Sequence, residues 1–374
     1  MTTPNTPGPE APREAATPLA RLLARRIAAS GPIGMADYMA ECLLHPEHGY
    51  YTTREPFGTA GDFTTAPEIS QMFGELMGLC LAQNWQDQGA PAPFALAELG
   101  PGRGTLMADI WRATARVPGF HTAARLHLVE ASPRLRALQQ AALAGLPVTW
   151  HTTPDALPEG PLWLVANEFF DALPVRQFLR AEGGWAERVV GLRDGALALG
   201  LAPAAPLAAL AHRLEDTGPG DLVELCPAAE PVMAAIARRV AARGAALIVD
   251  YGGWRSLGDT VQALRDHRTD PILAHPGQAD LTAHVDFEAL ARAARIAVPR
   301  IGLSGPAGQG LWLEALGITP RAQALARNLA GPALDAHVAA YRRLTHPQEM
   351  GTLFRVLALH PPGHAPPGMA EQPR

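Results

Sequence analysis

Two carboxylates, Glu168 and Asp171, close the stretch Leu164-Val-Ala-Asn167-Glu168-Phe-Phe-Asp171-Ala-Leu-Pro174. An apolar run and an amide precede them. Two acids held together either share a proton or clamp a cation. A guanidinium suits the second role, because its planar fork matches carboxylates bidentately. Methyl transfer to a guanidine nitrogen needs that nitrogen in line with the methyl, at about 3–3.5 Å. It also needs negative charge beside the nitrogen, and it needs no metal. The competing reading is that the two acids cap a following helix or pair with Arg176.

A second constellation lies upstream, in Ala95-Leu-Ala-Glu98-Leu-Gly100-Pro-Gly102-Arg-Gly104-Thr105. It reads as a buried strand, a tight turn and a helix. Glycine permits positive φ there and lets a ligand approach the backbone. Such a turn after the first strand of a doubly wound sheet binds nucleotide-like cofactors. NAD, FAD and S-adenosylmethionine (SAM) sites all use one. The GxGxG spacing, in place of GxGxxG, favours SAM, and so does Glu98. A carboxylate there meets the cationic amino-acid and sulfonium end of SAM, whereas it would repel a pyrophosphate. Glu130 ends the second apolar run and can accept both hydroxyls of a ribose, which does not separate SAM from NAD.

Other segments are more ambiguous. Gly58 to Glu68 contains Asp62, Phe63, Thr64 and Thr65. It reads equally as a lid over the cofactor or as an ordinary loop with a helix cap. Asp250-Tyr-Gly252 ends the fifth run, on the same crevice edge. Asp280 to Phe287 reads as a helix N-terminus; His284 there is a candidate base, with a capping or core histidine as the competing reading. The roles of His284 and Asp286 stay open. His45 and His48 lack further ligands nearby, so no metal is expected.

These residues need a scaffold. Helices are expected over 18–29, 35–44 and 68–85, and core strands over 94–99, 126–130, 148–151, 162–167 and 245–250. Helical stretches, 106–115 and 133–144 among them, separate most of the strands. That alternation means an α/β fold with a mostly parallel sheet and right-handed crossovers. Residues 174–243 alternate in places and read as an insertion of antiparallel strands. A helix over 285–297 follows, then a closing hairpin of 310–316 against 352–359. The domain plan is a disordered tail 1–17, an N-terminal helical region with the lid loop 18–90, a catalytic domain 91–360, and a flexible tail 361–374.

Composition excludes several chemistries. The chain has 374 residues and a formal net charge of -5. That balance makes no case for nucleic acid or an anionic membrane surface. All the basic side chains besides histidine are arginine, which excludes a Schiff base, a pyridoxal-phosphate lysine and a Walker-type lysine. The three cysteines lie far apart, which suits neither a disulfide framework nor a zinc site. No apolar stretch reaches the roughly 18 residues of a membrane span. The opening residues lack a secretory pattern, and Glu10 and Glu14 in a proline-rich stretch argue against a transit peptide.

Six motifs then stand in order: Gly49-Tyr-Tyr51, Gly61 to Glu68, Glu98 to Thr105, Asn167 to Pro174, Asp250-Tyr-Gly252 and Asp280 to Phe287. With them the chain resembles the MidA-type class I SAM-dependent methyltransferases, over about residues 18 to 360. The resemblance implies a Rossmann-like, seven-stranded sheet with N-terminal helices and an inserted α/β subdomain. It implies SAM as cofactor, held by Glu98, Gly100, Gly102, Gly104, Glu130 and the segment Asp62, Phe63, Thr64, Thr65. It further implies that Asn167, Glu168 and Asp171 hold a target arginine. The family includes a mitochondrial methyltransferase that acts on a subunit of NADH dehydrogenase (complex I) during assembly, so the same kind of protein partner is expected here. Expected alternatives are a SAM-binding assembly factor without catalysis, a methyltransferase with a small-molecule acceptor, and an NAD-dependent oxidoreductase. Cytoplasmic location is expected in a bacterium and the mitochondrial matrix in a eukaryote. A homodimer through the hairpin or the insertion is one expected arrangement.

Overall fold

The computed structural model describes residues 16–54 and 65–372. Asp62, Phe63 and Thr64 lie outside the described residues, as does the expected N-terminal tail up to residue 15. Thr17 belongs to the first helix: its hydroxyl accepts from the Ala20 N–H at 3.1 Å and donates to the Pro276 carbonyl at 2.9 Å. With Pro18 at the first helical position, this cap starts the helix Pro18–Ser30.

Among the described residues the main sheet, which the two-residue strand Val285–Asp286 joins beside residues 252–253, has seven longer strands, numbered here in chain order: β1 Phe94–Leu99, β2 Ala124–Val129, β3 Val148–His151, β4 Leu162–Asn167, β5 Gly244–Gly253, β6 Gly302–Gly308 and β7 Phe354–His360. Their spatial order is β3-β2-β1-β4-β5-β7-β6. β7 runs antiparallel to both its neighbours, and the other six strands share one direction. The order reverses between β1 and β4, which opens a crevice at the carboxyl ends of those two strands.

The strands are apolar on both faces because helices cover both. Along β4, Leu162, Leu164 and Ala166 enter one core, whereas Trp163 and Val165 enter the other. β1 alternates likewise, with Ala95, Ala97 and Leu99 against Phe94 and Leu96. Burial of each leucine contributes about 1.5–3 kcal/mol. The helix Gln71–Asp87 covers one face and Ala229–Val240 the other.

Several expectations are corrected. The single helix over 68–85 is two, Ala66–Ile69 and Gln71–Asp87, because Ser70 is extended and its hydroxyl caps the second through the Met72 N–H at 3.2 Å. Residues 229–240, expected within the insertion, form a helix that packs on the main sheet through Met233 and Ile236. The insertion itself carries strands Arg176–Ala181, Gly184–Arg193, Ala196–Leu201 and Leu222–Leu225, joined by Ile33–Gly34 from near the N-terminus. The expected unit 18–90 therefore divides. Residues 18–51 pack with the insertion, and 66–87 pack on the main sheet.

The closing hairpin pairs β6, not 310–316, with β7. Gln309–Ala315 is helical and buries the adjacent pair Trp312 and Leu313, which a strand would point to opposite faces. β6 (GLSGPAG) carries small residues and a proline, so no strand pattern marks it. The expected flexible tail is not free over 361–372. Pro367 O accepts from Trp312 Nε1 at 3.3 Å, His364 O accepts from Asn84 Nδ2 at 3.0 Å, and the Gln372 N–H donates to Leu303 O at 2.7 Å.

Candidate active site

The glycine turn leaves β1 and enters the helix Thr105–Thr114. Gly100, Gly102 and Gly104 have φ of +60°, +52° and +88°. The Gly104 N–H closes the turn on Pro101 O at 2.7 Å, and the Gly100 N–H hangs it on Val129 O at 3.0 Å. A Cβ on Gly100 would stand 3.0 Å from Phe169 Cδ2. Glu98 lies buried beneath the turn. Burial pushes its carboxyl up to about 8, against the pull of the Met107 N–H. Its Oε2 has no hydrogen-bond partner among the described residues.

Two recesses flank the turn and share Gly100, Gly102 and Glu168. The smaller, about 40 Å³, is lined by Thr65, Glu68, Glu98, Thr105 and Asn167. The larger, about 380 Å³, is lined by Tyr51, Val129, Glu130, Leu135, Phe169 and Leu173. Glu130 stands at the end of β2. Its Oε1 accepts the Ser132 N–H at 2.7 Å and its Oε2 accepts Gln139 Nε2 at 3.2 Å. Burial raises its pKa, partly offset by those bonds.

After β4 the chain turns sharply, with Glu168 at φ +51°. The Glu168 N–H donates to Val249 O at 2.9 Å. Its Oε1 accepts the Ala66 N–H at 3.3 Å and Asn167 Nδ2 at 3.1 Å. Burial, then repulsion from Asp171, pushes the Glu168 carboxyl up to about 8. Asp171 is buried and raised for the same first reason, with a Tyr251 hydrogen bond opposing. Asp250, wholly buried at the end of β5, is raised by burial and by both neighbouring acids. Among the described residues no ion pair joins an arginine to Glu168 or Asp171. Arg176 pairs instead with Glu187, at 2.8 and 2.7 Å. No helix follows the loop; the next element is the strand from Arg176. Both competing readings of the acids therefore fall away.

The structure thus gathers Thr65, Glu98, Gly100, Gly102, Asn167 and Glu168 around one recess. Gly104 faces neither recess. It backs onto the helix Pro133–Ala142, where a Cβ would lie 3.4 Å from Gln139 Cα. Asp171 lines neither recess and stands behind Glu168, with its N–H on Asp250 Oδ2 at 3.3 Å. Asp286 caps the helix Phe287–Ala297 through the Ala289 N–H at 2.9 Å. His284 packs edge-on against Tyr251, with ring centroids 5.2 Å apart, outside both recesses. It lines a larger cavity of about 660 Å³ between that helix and the insertion. This cavity touches the far side of the acidic loop through Phe170 and Val175 but includes none of the glycine turn. Chemistry, not size, therefore locates the site. Gln139, Ser132 and Tyr51 also build it. Sequence reading did not single out the first two, because a polar side chain in or beside an ordinary helix carries no local signal.

The residues present fit SAM. Glu98 Oε2 and Asn167 Oδ1 are buried acceptors without donors among the described residues, suited to an ammonium group. Glu130 beside an apolar wall suits a ribose. A sheet of this order, with this turn at the reversal point, is that of a class I SAM-dependent methyltransferase.

A family model for S-adenosyl-L-methionine-dependent methyltransferases matches residues 76–302. The chain is 37% identical to the mitochondrial protein arginine methyltransferase NDUFAF7 of Rattus norvegicus, over 92% of this chain and 85% of that protein. It is 36% identical to the Homo sapiens protein of the same name, over 95% of this chain and 86% of that one. A superfamily member from Burkholderia thailandensis, crystallised with S-adenosyl-homocysteine (SAH), superposes with a TM-score of 0.78 at 32% identity over 91% of both chains. The chain belongs to the MidA-type family of SAM-dependent methyltransferases.

Proposed function

We propose that the methyl acceptor is a guanidine nitrogen of an arginine in a protein, and that this protein is a subunit of NADH dehydrogenase met during its assembly. The observation that carries the reading is the group of mutually repelling carboxyls Glu168, Asp171 and Asp250, with which no arginine of the described residues forms an ion pair; Arg343 acts on Glu168 only through its field, as the smallest of the causes. A guanidinium relieves that repulsion. The names of the relatives, protein arginine methyltransferases of mitochondria, support the acceptor class. The assembly role follows from the family resemblance. No described helix is long and apolar enough to cross a membrane. With the mitochondrial names of the relatives, our reading places the acceptor in the matrix of a mitochondrion or, in a bacterium, the cytoplasm.

In this reading Glu98 and Asn167 receive the amino-acid end of SAM, Glu130 its ribose, and the glycine turn and Thr65 its flanks. When bound, the cofactor supplies an electrophilic methyl group on a sulfonium. Glu168 lines the recess and holds the guanidinium in line, with Asn167 fixing its carboxyl through Oε1. On gaining the methyl group the guanidine nitrogen would lose a proton, and Glu168 would take it up. Its raised pKa suits that step. Asp171 acts from behind as a positioning residue that keeps the field at Glu168 negative.

The test is incubation with methyl-labelled SAM and recombinant core subunits of NADH dehydrogenase, followed by peptide mass spectrometry. Label on an arginine is expected. Glu168→Gln should remove it by about 10²-fold or more while SAH binding persists. Label on another residue type overturns the acceptor. Transfer unaffected by Glu168→Gln overturns the assigned role.

A further inference from the structure

Gln139 is fully buried in the middle of the helix Pro133–Ala142. Its amide makes three hydrogen bonds. Nε2 donates to Gly102 O at 2.9 Å and to Glu130 Oε2 at 3.2 Å, and Oε1 accepts from Trp150 Nε1 at 2.9 Å. The orientation of the amide is decided by its partners. An indole N–H can only donate, and a carbonyl and a carboxylate here only accept, so a flipped amide would face mismatched groups on both sides. One turn earlier on the same face, Arg136 donates from Nε to Glu130 O at 2.8 Å and from Nη2 to His151 O at 2.9 Å. One helix therefore grips both the backbone and the carboxylate of Glu130, and the same glutamine grips the glycine turn.

We infer that Gln139 is a positioning residue for cofactor binding that ties the glycine turn to the ribose acid. The inference rests on the proposed role of Glu130. Among the described residues Glu130 Oε1 accepts from Ser132 and Oε2 from Gln139, and the Ala131 N–H is a further backbone donor to the carboxylate. Gln139 is the side-chain donor on Oε2, and it sets how that oxygen meets a ribose hydroxyl. Without the Gln139 donor, the carboxylate can rotate about its last bond, and the Gly102 carbonyl loses its buried partner. The turn and the acid then no longer share a fixed spacing, and recognition of the diol weakens more than recognition of the rest of the ligand.

The experiment is calorimetric binding of SAH and of its 2′-deoxy analogue to wild type, Gln139→Met, Trp150→Phe and Glu130→Gln, with the melting temperature of each protein without ligand. Wild type should prefer SAH over the analogue by about tenfold, the scale of a charge-assisted hydrogen bond. Gln139→Met keeps the side-chain volume and should cut that preference to about twofold or less, with SAH weakened about tenfold. Trp150→Phe frees the amide to rotate and should cut the preference about threefold; it decides the matter if Gln139→Met fails to fold. An equal loss for both ligands, or none, overturns the inference and leaves Gln139 as ordinary packing. If Glu130→Gln keeps the wild-type preference, the ribose role of Glu130 fails, and the inference with it.

Discussion

Asp250 Oδ2 accepts the backbone N–H groups of both Phe170, at 3.0 Å, and Asp171, at 3.3 Å. Its Oδ1 accepts the Tyr251 N–H at 3.0 Å. The end of β5 thus holds the loop that leaves β4, and that hold keeps Glu168 in a left-handed conformation that a non-glycine residue seldom adopts. Asp250→Ala would strand three buried N–H groups. The expected outcome is a loss of about 3 kcal/mol in urea unfolding together with loss of methyl transfer. Unchanged stability would show that the loop is held by other contacts.

Glu168 and Glu98 both have folded-state pKa values raised to about 8 by burial. In the unfolded chain each returns to the ordinary carboxylate range. The folded state therefore binds more protons between those values, and the stability contributed by these groups falls as pH rises towards 8. The ligand-free protein should melt at a lower temperature at pH 8.5 than at pH 6. Glu168→Gln should flatten that dependence and melt above wild type at pH 8.5, although it loses transfer. A scanning calorimetry series over pH decides this.

Cation binding at Glu98 needs its charged form. SAH affinity should therefore rise as pH goes from 6 to 8, by up to about tenfold per unit for a single linked proton, and level off above. Titrations in buffers of different ionisation enthalpy should show proton release on binding at pH 7. In Glu98→Gln the release should vanish, and affinity should drop to a nearly pH-independent value. Proton release that persists in the variant would assign the effect to another group.

Gly100→Ala meets two obstacles: a φ of +60° and Phe169 Cδ2 at 3.0 Å from the new Cβ. A left-handed alanine costs about 1–2 kcal/mol. SAH affinity should fall about tenfold or more, with melting lowered by a smaller margin than in Asp250→Ala. Adding Phe169→Ala should recover the part due to contact and leave the part due to φ. Full recovery in the double variant would mean that backbone strain contributes nothing.

Truncation after His360 should destabilise the fold. It removes the carbonyl partners of Asn84 Nδ2 and Trp312 Nε1 and uncovers Met369's packing site on the main core. A loss of about 2–4 kcal/mol is expected in chemical unfolding. A truncated protein as stable as the full chain would show these contacts to be neutral.

Much of the site was legible because its parts are local. Strands β1, β3 and β4 have the bounds that their apolar runs predict, and a glycine or acid at such a strand end must face the crevice of a doubly wound sheet. Glu98, Gly100, Gly102, Asn167 and Glu168 are all of this kind. The path of β6 was not legible, since Gly302–Gly308 carries no alternation, while Gln309–Ala315 carries apolar residues that two different periods can explain.

The sequence by itself determined the parallel strands β1 to β5 and the chemistry gathered at their carboxyl ends, because strand periodicity and turn residues act within a few positions. Only the tertiary structure decided which acids face the recess. Asp171 stands three residues from Glu168, yet Asp250, 79 positions further on, draws its backbone away from the recess. Gln139 meets Gly102 across 37 positions and Trp150 across 11. Such partners are chosen by how helices and strands pack, and a buried polar group takes whichever donor or acceptor the packing brings to it.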